Sequence, residues 1–136
     1  MKAEELQLND LVSYEGHATS VQVLRLGENI RRIGIESSRG NVFPEEDEIQ
    51  PIPLTAEILE KNGFVRDGCI IGEDGYRCDS YNLNDSQVWG YLTKEGFDIA
   101  FGGRNQPNDI IIKYVHELQR VLRCCDLWDL ADSIIV

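Results

Sequence analysis

The chain has 136 residues, of which 13 are basic and 24 acidic, so that its net charge is −11 and its sequence pI is near 4.5. This balance argues against a non-specific nucleic-acid binder, whose affinity comes mainly from basic side chains that neutralise phosphates. Because 42% of the residues are hydrophobic, we expect a globular protein with a buried core and not a disordered acidic tail.

The first 50 residues predict a small SH3-like β-barrel. Short apolar runs at Leu11-Val12, Val21 to Leu26, Ile33 to Ile35 and Val42-Phe43 are separated by turn residues. About four or five strands of this length are too short for a large open sheet and suit a strongly bent barrel. We therefore assign residues 1–50 to this domain.

An acidic, proline-rich segment follows from Pro44 to Pro53, and within it Pro51-Ile52-Pro53 predicts an extended connector at which we place the boundary between the two domains. Its four consecutive acids, Glu45 to Glu48, are typical of a solvated linker, and the alternative is a site for a cation or a basic partner surface. A helix over residues 55–62 comes next, because Thr55 is a good N-cap and Asn62-Gly63 provides a left-handed stop.

Residues 51–136 predict an α+β unit in which two helices pack on an antiparallel sheet. Residues 64–101 supply about four strands, with hairpin turns at Glu73-Asp74-Gly75 and at Thr93 to Gly96. A loop with Gly102-Gly103 and Pro107-Asn108 leads to the second helix, over about 110–125.

The second helix is predicted by one apolar stripe, formed by Ile111, Val115, Leu118, Leu122 and Cys125. Its beginning is ambiguous, because the β-branched run Ile110 to Ile112 fits the end of a strand equally well. The apolar tail predicts a docked segment, with a last edge strand at Ser133 to Val136.

The sequence contains no pattern that indicates catalysis or a bound metal. Cys69 and Cys78 are predicted to face each other across a hairpin, but structural zinc sites usually contain close cysteine pairs and further ligands. Cys124 lies near Arg120 and Arg123, yet no glycine-rich loop accompanies it. No nucleophile elbow, phosphate loop or dinucleotide fingerprint occurs. We therefore expect a non-enzymatic protein that uses neither a cofactor nor a metal.

Aromatic and helical residues provide the candidate binding surface. We place it in a groove between the two domains, because ligands commonly bind at such junctions. Trp89 and Tyr91 alternate with apolar neighbours, so that one set faces the helices and the other faces solvent or a partner. Lys113, His116, Glu117 and Arg120 share the helix face opposite the stripe and are predicted to be solvated. The candidate residues are Tyr14, Trp89, Tyr91, His116 and Arg120.

One basic segment offers an alternative to this surface. Four arginines stand against two glutamates between positions 25 and 39, namely Arg25, Arg31, Arg32 and Arg39. They suit a nucleic-acid or nucleoprotein accessory, although no cluster of aromatic residues that could stack bases accompanies them. The other interpretation is that they pair with the abundant acids of the chain. A further alternative is an acidic inhibitor that mimics DNA by means of the −11 charge.

Two motifs resemble a group of small uncharacterised proteins from gut anaerobic bacteria and their phage or mobile elements. They are Ile52-Pro-Leu-Thr-Ala-Glu-Ile-Leu-Glu-Lys-Asn-Gly-Phe64 and Ile112-Lys-Tyr-Val-His-Glu-Leu-Gln119, and the opening Leu6-x-x-Asn-Asp-Leu-Val12 is similar as well. The resemblance covers nearly the whole chain, but residues Asp126 to Asp132 depart from it. It implies a mobile-element context, in which small acidic proteins often bind other proteins.

Together these observations predict a protein–protein interaction module that is not an enzyme. We expect another protein as the partner and consider nucleic acid less suited to the charge. The chain contains no apolar run of the roughly 18 residues that a membrane span needs, and its start does not resemble a signal peptide. We therefore expect no membrane association and a cytoplasmic location.

Overall fold

The computed structural model describes residues 1–28, 31–83, 86–100 and 110–136, and at Arg31 it describes the backbone. The described residues form two five-stranded antiparallel sheets and three short α-helices, which confirms the α+β class. Several residues that we predicted in turns or loops lie outside the described residues, namely Asn29, Asn84, Asp85, Gly102, Gly103, Pro107 and Asn108.

The first sheet contains five short strands in the order β4-β3-β2-β1-β5. They are β1 (Leu11–Tyr14), β2 (His17–Leu26), β3 (Arg31–Ser37), β4 (Gly40–Val42) and β5 (Ile49–Gln50). One buried cluster fills its inner side and consists of Ala3, Leu6, Val12, Val21, Ile33, Ile35 and Ile49. Among the described residues no closed barrel is found, because the two outer strands, β4 and β5, do not pair with each other.

The acidic run belongs to this first sheet, so the prediction that Glu45 to Glu48 form a linker is wrong. Residues Glu46–Glu48 form a 3-10 helix that leads directly into β5, and β5 pairs with β1. The backbone N–H of Ala3 donates to Glu46 Oε2 at 3.0 Å, and the Met1 ammonium donates to the carbonyl of Glu46 at 2.7 Å. These bonds hold the run against the beginning of the chain.

The second sheet has the order β10-β9-β8-β7-β6 and packs with the helices. Its strands are β6 (Phe64–Ile71), β7 (Arg77–Leu83), β8 (Trp89–Thr93), β9 (Gly96–Ala100) and β10 (Ile110–Ile112). The helices are α1 (Ala56–Lys61), α2 (Val115–Cys124) and α3 (Trp128–Asp132). The largest buried residues between sheet and helices are Leu59, Phe64, Tyr81, Phe97, Ile99, Ile112, Leu118 and Leu122.

Residues 110–112 settle the ambiguity at the start of the second helix. They pair with β9, with Ile110 opposite Ile99 and Ile112 opposite Phe97, and therefore add a fifth strand to the four that we predicted. The expected helix over about 110–125 is thus wrong at its beginning, since α2 begins at Val115. Three consecutive β-branched side chains fit a strand next to a sheet better than a helix.

The ends of α1 are set by local sequence, as predicted. Thr55 Oγ1 accepts a hydrogen bond from the Ile58 N–H at 3.3 Å, and Gly63 has a positive φ of 89° directly after the C-cap Asn62. A glycine carries no Cβ penalty in that conformation. Both signals of the sequence are confirmed.

The last residues form no strand, so the predicted edge strand at Ser133 to Val136 is wrong. The Asn62 side chain makes the bonds that a neighbouring strand would have made: its amide donates to the Ile135 carbonyl at 2.7 Å and accepts from the Ile135 N–H at 2.8 Å. It also donates to the Ile58 carbonyl at 2.7 Å. One buried amide therefore ties the tail to the end of α1.

Each sheet has its own buried cluster, and Leu11 of β1 packs against the cluster of the second sheet. The division of the chain into domains over 1–50 and 51–136 stays a prediction.

Candidate functional site

A buried ion pair joins α2 to the segment that enters β1. The Asp10 side chain has no exposed surface, and its Oδ1 accepts from Arg123 Nη1 at 2.7 Å. Its Oδ2 accepts from the backbone N–H of Gln7 at 2.8 Å and lies 3.6 Å from Arg120 Nη2. A carboxylate can be buried at this point because charged and polar donors surround it.

Gln119 of α2 completes this joint with three hydrogen bonds. Its Oε1 accepts from the Leu11 N–H at 2.8 Å, while its Nε2 donates to the carbonyls of Asn9 and Ala131, each at 2.9 Å. The amide thus links α2 with β1 on one side and with α3 on the other. No functional or structural role was predicted from the sequence for Asp10, Gln119 or Arg123, because the helical pattern indicates apolar contacts and none of these residues is apolar.

The prediction that the face of α2 opposite the apolar stripe is solvated is wrong at His116, which is buried, whereas Glu117 and Arg120 are half-buried and Lys113 is exposed. His116 is only 5% exposed and the Arg120 side chain 33%, since this side of the helix lies against the segment before β1. The helix therefore packs on two sides, with apolar contacts to the second sheet and polar contacts to the first. Arg120 lies near the carboxylate of Asp10 in its own chain.

His116 is a buried histidine with an unsatisfied nitrogen. Its ring stacks on Tyr114 with a centroid distance of 5.9 Å, and within the described part of the chain its Nδ1 has no hydrogen-bond partner. Burial lowers the pKa of His116, and the positive charge of Arg120 lowers it further, against the opposing effect of Asp10. The neutral imidazole is consequently the form that the fold accommodates.

Trp89 and Tyr91 lie on the side of the second sheet that faces away from the helices. Val88 is buried in the cluster beneath the helices, and a Cβ at Gly90 would come within 2.8 Å of Phe97 in that same cluster. By strand alternation Trp89 and Tyr91 point the opposite way. Their rings meet edge to face, with centroids 5.6 Å apart and an interplanar angle of 86°.

Exposed apolar side chains surround this aromatic pair. Val65 and Ile111 lie on the same side of the sheet as Trp89 and Tyr91, because directly paired residues point to the same side. Val65 pairs with Asn82, which pairs with Trp89. Ile111 pairs with Asp98, which pairs with Tyr91. Ile70 lies on this side as well. It follows Gly68 by two residues, and Gly68 pairs with Ser80, which pairs with Tyr91. The exposed fractions are 45% for Val65, 47% for Ile70 and 42% for Ile111. We call Val65, Ile70, Trp89, Tyr91 and Ile111 the outer face.

The candidate residues therefore do not form the single groove that we expected. Trp89 and Tyr91 belong to the outer face, whereas His116 and Arg120 lie at the buried joint on the other side of the sheet. Tyr14 is half-buried in the first sheet, opposite His17 and Ile49. Burial and the carboxylates of Glu15 and Glu48 raise the pKa of Tyr14.

The structure brings two of the four predicted arginines together and separates a third. Arg25 and Arg32 are direct partners across β2 and β3, while Arg39 lies in the turn beyond Ser37, at the far end of β3. The side chain of Arg31 lies outside the described residues. Arg32 is joined by a residue that sequence analysis overlooked, since its guanidinium carbon lies 3.9 Å from the centre of the Phe43 ring.

The cysteines do not converge. Cys69 is opposite Asp79 and not opposite Cys78, so the predicted pair across the hairpin is offset by one residue. All four cysteines are free thiols. In the ranges that the structure describes, no three side chains of His, Cys, Asp or Glu come together in a way that would hold a metal ion.

Comparison of the chain with protein-family models, with curated proteins and with solved structures found no match. None of the helices in the described ranges is both long enough and apolar enough to cross a membrane.

Proposed function

We propose that this protein is a non-enzymatic protein–protein interaction module that binds its partner through the outer face. The observation that carries the proposal is the perpendicular pair of Trp89 and Tyr91 on a sheet surface opposite the helices. Tryptophan and tyrosine are enriched among the residues that contribute most to protein interfaces, because each combines a large apolar area with a polar atom.

The surroundings of the pair support the same function. Val65, Ile70 and Ile111 add apolar area on the same side of the sheet, with Asn82 between Val65 and Trp89 and Asp98 between Ile111 and Tyr91, and each is more than two fifths exposed. Protein interfaces combine apolar side chains with polar ones beside and around them. The strands also hold these side chains in a fixed arrangement, which reduces the entropy lost on binding.

We also propose a fold for the first domain, a biological origin for the chain and a location in the cell. We place residues 1–50 in an SH3-like barrel and assign the chain to phage or mobile elements and to the cytoplasm. Support for the barrel is that β5 returns to pair with β1 around one buried cluster. Amide–amide nuclear Overhauser contacts between Val42 and the β5 segment would support barrel closure, and their absence in an assigned spectrum would contradict it.

Affinity capture from the native host tests the outer face. The tagged wild type would be compared with a Trp89→Ser/Tyr91→Ser variant and with a Leu8→Ser control, which removes an exposed apolar side chain of the first half. Thermal unfolding verifies first that each variant is folded. Half of each lysate is treated with nuclease.

We expect one stoichiometric protein that survives nuclease treatment with the wild type and the control and is lost with the double variant. A protein that the double variant retains fully would contradict a role of the outer face. A partner that disappears on nuclease treatment would contradict direct protein binding and would favour the nucleoprotein alternative.

A further inference from the structure

The first sheet carries a second surface, which consists of Arg25, Arg32 and Phe43 and which we call the arginine–phenylalanine surface. Arg25 and Arg32 are direct cross-strand partners, so their side chains leave the sheet on the same side. The Arg32 guanidinium lies over the Phe43 ring at 3.9 Å from its centre. This geometry is that of a cation–π contact, which favours a position of the guanidinium over the ring.

A glycine makes this arrangement possible. Gly34 follows Arg32 on the same side of β3, and a Cβ at this position would lie 2.8 Å from Cε1 of Phe43. The absence of a side chain at Gly34 thus allows the ring to pack against the strand and to reach Arg32. Because 45% of Phe43 remains exposed, the ring presents apolar area beside the two positive charges.

The two guanidiniums have no anionic partner in the described parts of their own chain. No described carboxylate lies within salt-bridge distance of Arg25 or Arg32, although the chain contains 24 acidic residues. Like charges that face each other across strands are unfavourable. An external anion that pairs with both guanidiniums removes this repulsion, and the planar guanidinium is well suited to a carboxylate or phosphate.

The small extent of the surface favours a short acidic peptide over a nucleic acid as the anionic partner. Glu36 stands on the same side of β3, four residues after Arg32, which places it about 13 Å away along the strand. A nucleic-acid strand along the sheet would meet this carboxylate, and the net charge of −11 opposes any extended polyanion. A short peptide needs only one or two anionic groups and brings an apolar side chain as well.

We propose that the arginine–phenylalanine surface binds a short acidic segment of a partner protein. Carboxylates of the segment pair with Arg25 and Arg32, and a neighbouring apolar side chain contacts the exposed part of the Phe43 ring. This site is separate from the outer face, since it belongs to the other sheet, and each site can be tested while the other is intact.

Fluorescence anisotropy with labelled peptides tests the proposal. The panel consists of short peptides that combine two glutamates at varied spacing with one leucine or phenylalanine, matched peptides in which glutamine replaces glutamate, and a short oligothymidylate. The proteins are the wild type, Arg32→Gln, Phe43→Ser and the control Arg39→Gln, which removes an exposed arginine elsewhere on the same sheet. A thermal melt of each variant verifies folding.

We expect the best glutamate peptide to bind the wild type at least about tenfold more tightly than its glutamine counterpart. Arg32→Gln should weaken that binding by about tenfold or more, Phe43→Ser by a smaller factor, and Arg39→Gln by less than about twofold. Three results would each overturn the proposal: no peptide binds, Arg39→Gln weakens binding as much as Arg32→Gln, or the oligothymidylate binds more tightly than every peptide.

Discussion

Replacement of Asp10 by alanine tests the buried joint between α2 and the first sheet. The variant removes the carboxylate that accepts from Arg123 at 2.7 Å and from the Gln7 N–H at 2.8 Å, and it leaves the Arg123 guanidinium buried. Loss of one partner from a buried ion pair typically costs about 3–5 kcal/mol, because the remaining charge is uncompensated.

The remaining contacts of Arg123 place the expected cost at the lower end of that range. Its Nη1 keeps the Gln7 Oε1 at 3.1 Å, and its Nη2 keeps Asp132 Oδ1 at 3.4 Å. We therefore expect Asp10→Ala to lower the free energy of unfolding by about 3 kcal/mol. For a chain of 136 residues this corresponds to a decrease in Tm of about 10 °C.

Urea and thermal unfolding followed by circular dichroism measure this effect. The matched control is Glu57→Ala, which breaks an exposed pair with Lys61 at the same kind of distance, 3.1 Å, and should cost less than about 0.5 kcal/mol. An Asp10→Ala variant as stable as this control would refute the conclusion that the ion pair holds α2 against the first sheet.

Three further predictions concern other buried groups. Because the folded-state pKa of His116 is lowered, the contribution of this residue to stability should be constant above about pH 6.5 and should decrease as the pH falls below it; His116→Gln should flatten this dependence in thermal melts, and an unchanged dependence would contradict the effect of burial. Asn62→Ala should cost about 2 kcal/mol and speed carboxypeptidase release of the tail, since three hydrogen bonds are lost; an unchanged rate would contradict the tie to Ile135. Gly90→Ala should cost about 2 kcal/mol in urea unfolding, because the new Cβ would lie 2.5 Å from the Asp98 carbonyl oxygen, whereas Gly68→Ala meets nothing within 4 Å and should cost less than about 0.5 kcal/mol.

The elements that sequence predicted correctly are those set by neighbouring residues. Thr55 caps α1 and Gly63 ends it through contacts that span at most three positions. The hairpin turn at Glu73 to Gly75 joins β6 and β7 for a similar reason, because Gly75 takes a positive φ of 80°. Local conformational preferences can be predicted from a single sequence.

The features that sequence could not predict depend on residues far apart in the chain. Asn62 replaces an edge strand by bonding to Ile135, and Asp10 meets Arg123 across more than a hundred positions. Ile110 to Ile112 is a strand because β9 is beside it, which the run itself does not specify. Such pairings are decided by tertiary packing, which overrides local propensity.

The candidate sites were likewise predicted only in part from local sequence. Alternation along β8 predicted that Trp89 and Tyr91 share a face, but the packing of Gly90 against Phe97 decides which face it is. Arg32 and Phe43 are eleven positions apart in the sequence, and their contact depends on the packing of neighbouring parts of the sheet. Of the arginines whose side chains the structure describes, Arg25 and Arg32 therefore form a pair beside an aromatic ring, and Arg39 lies apart from them in the turn after β3.

Site-specific photo-crosslinking in the native host tests whether the outer face binds a partner protein. A photoreactive phenylalanine analogue replaces Tyr91 on the outer face or, as the control, Leu8 in the first half of the chain. We expect one discrete adduct with another protein from position 91, resistant to nuclease, and none from position 8. Equal adducts from both positions, or no protein adduct from position 91, would contradict the assignment of the outer face as the binding surface.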